Sequence, residues 1–193
     1  MFAFPCYFRN QPCAGVMLFV AITFVLGIAF GNSKDNYKYM NQSMLFPSLE
    51  DLKAALNTSE DIWLKRCTYD LERSICVHAR RVDVQGGQYK FHRYRTIGRT
   101  IIGPEVFYVI AYEEGNRAIM NVSHTKSGNA TAYKLEYLDA HEGCGILTFI
   151  EGDNVRCQQH VRDSNITQST PNCDAVYNQT CSGQQSHQVY YSN

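Results

Sequence analysis

Between residues 62 and 162 apolar and polar side chains alternate in eight short runs, each closed by a turn-forming cluster. A period of two places alternate side chains on opposite faces of an extended chain, so each run predicts a half-buried strand. The runs cover about 62–70, 74–84, 88–97, 105–113, 117–125, 130–139, 143–150 and 154–162. The clusters between them are Gln85-Gly86-Gly87, Gly103-Pro104, Glu114-Gly115-Asn116, Ser127-Gly128-Asn129, His141-Glu142-Gly143 and Glu151-Gly152-Asp153-Asn154. Most are short enough for antiparallel hairpins. The chain therefore reads as all-β, an eight-stranded antiparallel meander. Such a meander either packs as two sheets or closes on itself, and closure removes both unpaired edges. Two short helices flank it. Ser48-Leu49-Glu50-Asp51 has the form of a capping box, with Leu49, Leu52, Ala55 and Leu56 following at helical spacing to about Asn57. Pro171-Asn172-Cys173-Asp174-Ala175-Val176-Tyr177 opens a second helix, over about 171–182.

The first 31 residues differ from the rest. Arg9 is their only charge, and Ala14 to Phe30 is an uncharged run of 17 residues, followed by the polar stretch from Gly31. Small residues at Ala29 and Gly31 complete the pattern of a secretory leader cleaved after Gly31. The alternative, a membrane anchor, falls short of the ~20 residues a spanning helix needs. The expected organisation is thus a leader over 1–31 and one domain over 32–193. That domain has a loose arm over 32–46 and a barrel over about 62–162. Removal of the leader takes Cys6 and Cys13 and leaves six cysteines: Cys67, Cys76, Cys144, Cys157, Cys173 and Cys181. In an oxidising compartment these predict three disulfides, and counting alone cannot choose among the 15 pairings. Their spacing fits no zinc motif, so no metal and no other cofactor is expected. Asparagine precedes x-Ser/Thr at Asn41, Asn57, Asn121, Asn129, Asn165 and Asn178. Behind a leader these are expected glycosylation sites, each facing solvent. With 17 basic against 18 acidic residues once Arg9 is set aside, nothing draws the domain to nucleic acid. A secreted monomer, free of the membrane once the leader is cut, is the expectation.

An eight-stranded barrel leaves room for one small ligand, and alternate residues line it. On the sixth strand Tyr133, Leu135 and Tyr137 form the apolar face. On the fifth, a glycan at Asn121 would turn Ala118, Met120, Val122 and His124 inward. On the third, Tyr89, Phe91, Arg93 and Arg95 read better as lumen than Lys90, His92 and Tyr94, with the arginines near a mouth. On the fourth, Phe107, Val109 and Ala111 compete with Val106, Tyr108, Ile110 and Tyr112, and both sets are apolar.

Several segments stand in a familiar order: Asp61-Ile62-Trp63-Leu64-Lys65-Arg66-Cys67-Thr68-Tyr69, Cys76-Val77-His78-Ala79, Cys144-Gly145-Ile146-Leu147-Thr148-Phe149, Cys157-Gln158-Gln159-His160-Val161-Arg162-Asp163, and the segment from Pro171 to Tyr177. From Ser48 to Cys181 the chain resembles the tick salivary lipocalins, the histamine-binding protein family. The resemblance implies a lipocalin barrel with short N- and C-terminal helices, and a secreted protein that sequesters a host mediator such as a biogenic amine or an eicosanoid. It also implies pairing of Cys76 with Cys181 and of Cys144 with Cys173, which leaves Cys67 for Cys157. Closure beside the eighth strand would bring that last pair onto adjacent strands.

Amine-binding members of that family carry an acidic residue directly after the cysteine of the seventh strand, and a Glu-Leu-Trp-like run on the eighth. Here the first position is Gly145 and the second run is Gln158-Gln159-His160. An ammonium taken out of water needs a buried counter-charge, and glutamine supplies none. Arg66, Arg93, Arg95 and His124 tilt the choice toward an amphipathic carboxylate such as a fatty acid or leukotriene. The expected ligand-binding set is Tyr133, Leu135, Tyr137, Gln158, His160, Phe91, Arg93, Met120 and His124. A protein-binding role on the outer surface, such as complement inhibition, is the other class to weigh. No G-x-S-x-G, P-loop or H-E-x-x-H motif is present, so no catalytic residues are expected.

Overall fold

The structure, a computed structural model, describes Cys6 and residues 46–192. The chain divides into two units, Met1–Tyr7 with Phe46–Asn193 and Phe8–Leu45, and only the first falls within the described residues. The expected arm, the leader's apolar run and Asn41 lie outside them. Among the described residues no helix is long and apolar enough to cross a membrane.

The eight runs form strands β1 (Ile62–Cys67), β2 (Ser74–Gln85), β3 (Gln88–Ile97), β4 (Thr100–Glu114), β5 (Arg117–Ser123), β6 (Ala130–Asp139), β7 (Cys144–Glu151) and β8 (Asn154–Arg162). Each pairs antiparallel with the next. β1 then closes the ring, pairing with β8 through Ile62↔Arg162, Trp63↔Val161 and Leu64↔His160, and with β2 through Ile62↔Ala79 and Trp63↔His78. The meander is a closed barrel. The fourth strand starts five residues earlier than its pattern suggests. The chain reverses at Gly98-Arg99, and Gly103-Pro104 is a register irregularity inside β4 opposite Tyr94. At that bulge Gly103 has φ +133, and an added Cβ would sit 2.6 Å from the Arg93 carbonyl oxygen, so the position demands glycine.

Helix α1 (Leu49–Leu56) starts at the anticipated capping box: Ser48 Oγ accepts from the Asp51 amide at 3.2 Å, and the Ser48 amide donates to Asp51 Oδ2 at 2.9 Å. Its buried Leu52 packs with Ala118, Leu135 and Leu147 and seals one end of the barrel. Helix α2 (Pro171–Thr180) lies on the outside of β6, β7 and β8. Lys65 and Arg66 reach Asp174 at 3.0 and 3.2 Å, and the fully buried Gln159 donates to the same carboxylate at 2.8 Å. Thr170 makes no side-chain cap. Instead the buried Glu142 carboxylate accepts from the Asn172 and Cys173 amides at 2.9 and 3.0 Å. A negative group there satisfies orphan amides and complements the helix dipole. Glu142→Ala is expected to cost about 1–3 kcal/mol, read as a lower midpoint in urea unfolding with unchanged slope.

The disulfides depart from the expected set. Cys144–Cys173 is present, but Cys157 bonds Cys181, Cys76 bonds Cys6, and Cys67 is a buried free thiol. Strand geometry explains the first change. Cys67 stands opposite Gln158, so it shares the face of Gln158, while Cys157 points the other way, toward α2 and Cys181. With Cys181 taken, Cys76 meets Cys6, which was expected to leave with the leader. The Cys6 amide donates to the Tyr191 carbonyl at 3.0 Å. Burial pushes the Cys67 thiol up to about 11, which keeps it protonated and unreactive.

The C-terminal tail packs against the barrel. A two-residue strand, β9 (His187–Gln188), pairs with the end of β1, and Val189 accepts from the Cys76 amide at 2.9 Å. It fills the space left where β1 and β2 diverge, and Val189 and Tyr190 are buried there.

Candidate functional site

The barrel encloses a cavity of about 230 Å³. Connectivity assigns its ends. α1 and the turns after β2, β4 and β6 share one end. The β1–β2 segment and the turns after β3, β5 and β7 form the mouth. The floor is mostly apolar, with Leu52, Ala55 and Leu56 of α1 below Leu135, Leu138 and Leu147, and Arg162 of β8 enters the lining at the same end. Phe91, Phe107, Val109, Met120 and Val122 line the wall on the β3–β5 side.

A band of polar groups crosses the cavity. The ring of His160 is 2.8 Å from Gln158 Oε1 through Nε2, and Gln158 Nε2 donates to the Tyr69 hydroxyl oxygen. The Gln158 carbonyl can only accept, so Nε2 of His160 carries a hydrogen and Nδ1 is left as an acceptor. Burial pulls the His160 pKa down to about 4, so the ring is neutral at physiological pH. Its remaining accessible surface faces the cavity rather than bulk water. Burial raises the hydroxyls of Tyr69 and Tyr133, and the Gln158 hydrogen bond and the positive charge of Arg93 pull both partly back. Arg93 itself binds Glu105 Oε2 at 2.6 Å and lies 4.3 Å over the Phe107 ring. Among the described residues the lining contains no aspartate or glutamate; its formal charges are Arg93 and Arg162.

The structure gathers most of the expected ligand set. Tyr133, Leu135, Gln158, His160, Phe91, Arg93 and Met120 all line the cavity. Two do not. The β6–β7 register shifts between Leu135 and Tyr137, which turns Tyr137 outward against the Trp63–Tyr177 cluster and brings Leu138 into the cavity instead. His124 lies past the end of β5, is 66% exposed in its side chain, and stands at the rim 3.3 Å from Glu105 Oε1 and 4.5 Å from the Phe107 ring. Arg66 is outside the barrel, stacked on Tyr177 at 4.1 Å. Arg95 follows Arg93 on the same face nearer the mouth, and its Nε is buried without a hydrogen-bond partner. On β4 the open choice resolves to Phe107 and Val109. Sequence reasoning missed Tyr69, which sits beyond the end of β1. Gly145 is buried in the lining, with Leu138 Cδ1 and the Tyr137 carbonyl oxygen each 3.3 Å from where a Cβ would stand.

The sequons Asn57, Asn129 and Asn178 are exposed; Asn121 is half-buried on the outer face beside Tyr112, and Asn165 is half-buried near Gly143. The acidic and sulfur cluster of Glu142, Cys144 and Cys173 is committed, since the two sulfurs are bonded to each other and the carboxylate caps α2.

No curated protein sequence matches the chain. Among solved structures, the serotonin complex of AM182 superposes with a TM-score of 0.56 at 15% identity, covering 71% of this chain and 87% of that one. Japanin from Rhipicephalus appendiculatus, bound to cholesterol, gives 0.53 at 9% identity, with 70% and 95% covered. The siderocalin Ex-FABP gives 0.52 at 6% identity, with 72% and 95% covered. These likenesses establish the lipocalin barrel. The family model for the tick histamine-binding protein matches residues 41–193. That match, spanning the barrel and both helices, makes this chain a member of the tick histamine-binding protein family.

Proposed function

We propose that the protein binds one amphipathic lipid carboxylate, such as a fatty acid or leukotriene, with its tail toward α1 and its head at Arg93, Tyr69 and Tyr133. The observation that carries this reading is the sign of the lining: the cavity offers arginine and no carboxylate. An ammonium moved into it would be left without a counter-charge, at a cost of several kcal/mol. Glu105 is held at the rim by Arg93 and His124, and Arg93 bonds it through Nε and Nη2, so it is Nη1 that is proposed to meet the ligand. A carboxylate finds a guanidinium and two phenolic donors above a floor of leucines. Relatives in fold carry serotonin and cholesterol, so an amine and a neutral sterol are the comparisons to run. In the setting the family implies, such binding would withdraw a host lipid mediator at the bite. No catalytic role is proposed.

Calorimetric titration with arachidonate, leukotriene, histamine, serotonin and cholesterol tests the reading. Arg93→Gln is expected to weaken carboxylate binding about tenfold to a hundredfold, the worth of a charge-assisted hydrogen bond. Tight histamine binding with no carboxylate binding, or an unaltered Arg93→Gln variant, would sink it.

Secretion through an oxidising compartment is part of the same proposal, supported by the Cys144–Cys173 and Cys157–Cys181 disulfides. Cleavage after Gly31 would separate Cys76 from Cys6. Peptide mapping of the exported protein, alkylated without reduction, reads the outcome: Cys76 is alkylated if the leader is removed and linked to Cys6 if it is kept. The six sequons are proposed glycan sites, checked by the same mapping after enzymatic deglycosylation.

A further inference from the structure

The β3–β4 hairpin carries apolar residues that the rest of the domain leaves uncovered. Ile101 is 67% exposed, Ile102 40% and Ile97 38%. The pairs Thr96↔Ile101 and Arg95↔Ile102 are adjacent rungs, so Ile101 lies on one face of the hairpin, while Ile102 and Ile97 lie on the other. A surface that docks a folded protein needs one apolar face. Apolar side chains on both faces of a projecting tip suit immersion in an apolar medium. The hairpin is free to project because β5 pairs with β4 only from Tyr108 onward. The unpaired stretch of β4 is also a poor template for an added strand, since Pro104 has no amide hydrogen and the register breaks beside it.

Charge selects the medium. Residues 95–104 carry Arg95 and Arg99 and no acid, and Arg73 precedes Ser74, the partner of Ile97, with Glu72 beside it. On the opposite side of the mouth, the β7–β8 hairpin carries Glu151 and Asp153. The mouth is therefore polarised in charge: Ile150 and Val155 of the β7–β8 hairpin are also exposed, at 72% and 52%, but they sit beside acids, so the apolar tip that suits an anionic surface is the β3–β4 one. We propose that the β3–β4 hairpin inserts into an anionic lipid surface, seating the barrel mouth where a lipid can leave the bilayer for the cavity. This departs from the sequence expectation of a domain without membrane contact. It does not depend on which head group the cavity prefers.

The test is cosedimentation of the full chain with phosphatidylcholine vesicles, with and without phosphatidylserine. Wild type is expected to partition onto the anionic vesicles. Ile101→Asp is expected to reduce that partition about tenfold, the effect of losing one buried isoleucine side chain. Arg99→Glu is expected to abolish the preference for anionic over neutral vesicles. Ile101 is mostly exposed, so the variant should fold, and unchanged circular dichroism verifies it. Arachidonate titration of Ile101→Asp in vesicle-free buffer is expected to match wild type, which separates this proposal from the ligand reading. Failure of wild type to sediment, sedimentation that Ile101→Asp leaves intact, or a solution dimer that Ile101→Asp dissolves would each overturn it.

Discussion

Between pH 6.5 and pH 4 the protein is expected to lose about 3 kcal/mol of stability through His160 alone. In the unfolded chain this imidazole takes up its proton near its ordinary value of 6.5, whereas in the barrel burial holds it down to about 4. Over that window the unfolded state binds more protons, so stability is full above pH 6.5 and drains as the pH falls. Below pH 4 both states are protonated and the loss is complete. The hydrogen bond to Gln158 Oε1 is satisfied by the neutral ring, so nothing beside Nε2 rewards protonation. Urea unfolding of wild type and His160→Gln at pH 7 and pH 4 isolates the effect from the titrating carboxylates common to both. The pH-dependent drop should be about 3 kcal/mol smaller in the variant. Equal drops in the two proteins would show that the ring is hydrated or protonated in the native barrel.

Trp63→Ala is expected to cost about 3–5 kcal/mol, a large share of the total for a domain of this size. Trp63 is 6% exposed on β1 and touches three parts of the molecule. Its ring lies 4.4 Å from that of His78 on β2 and 5.3 Å from that of Tyr190 in the tail. Its Nε1 donates to Asp163 Oδ1, just past β8, at 2.8 Å. One side chain thus joins the closing strand to both neighbours and to the C-terminal arm. Trp63→Phe keeps most of the packing and loses the hydrogen bond, and should cost nearer 1–2 kcal/mol. Indistinguishable melting of the two variants would mean that the hydrogen bond, rather than the packing, carries the effect.

The strand pattern was legible because half-burial writes period two into the chain. Six of the eight strands begin at the anticipated residue, among them β3, β6 and β8, which match at both ends. What escaped the pattern were the places where the period breaks. The shift between Leu135 and Tyr137 exchanges Tyr137 for Leu138 in the cavity, and both are apolar, so composition gave no warning. Gly103-Pro104 looks like a turn because bulges and turns use the same residues. The cysteine pairing failed for a related reason. Strand adjacency placed Cys67 and Cys157 side by side, but one residue of register put their side chains on opposite faces. The short β9 strand has too few residues for any period to show. The polar band was half legible: Gln158 and His160 stand on a regular strand, while Tyr69 reaches them from a connection whose path no periodicity fixes.

The space beside Gly145 bears on how such a pocket changes ligand class over a lineage. Leu138 and the Tyr137 carbonyl stand 3.3 Å from the place a side chain's Cβ would occupy. An acid reintroduced there would meet a leucine methyl and a carbonyl oxygen, one an obstacle and the other a repulsive dipole. An acid at position 145 therefore needs Leu138 to give way, and a smaller residue at 138 would ease its entry. Which ligand this wall admits is thus set as much by what stands beside position 145 as by position 145 itself.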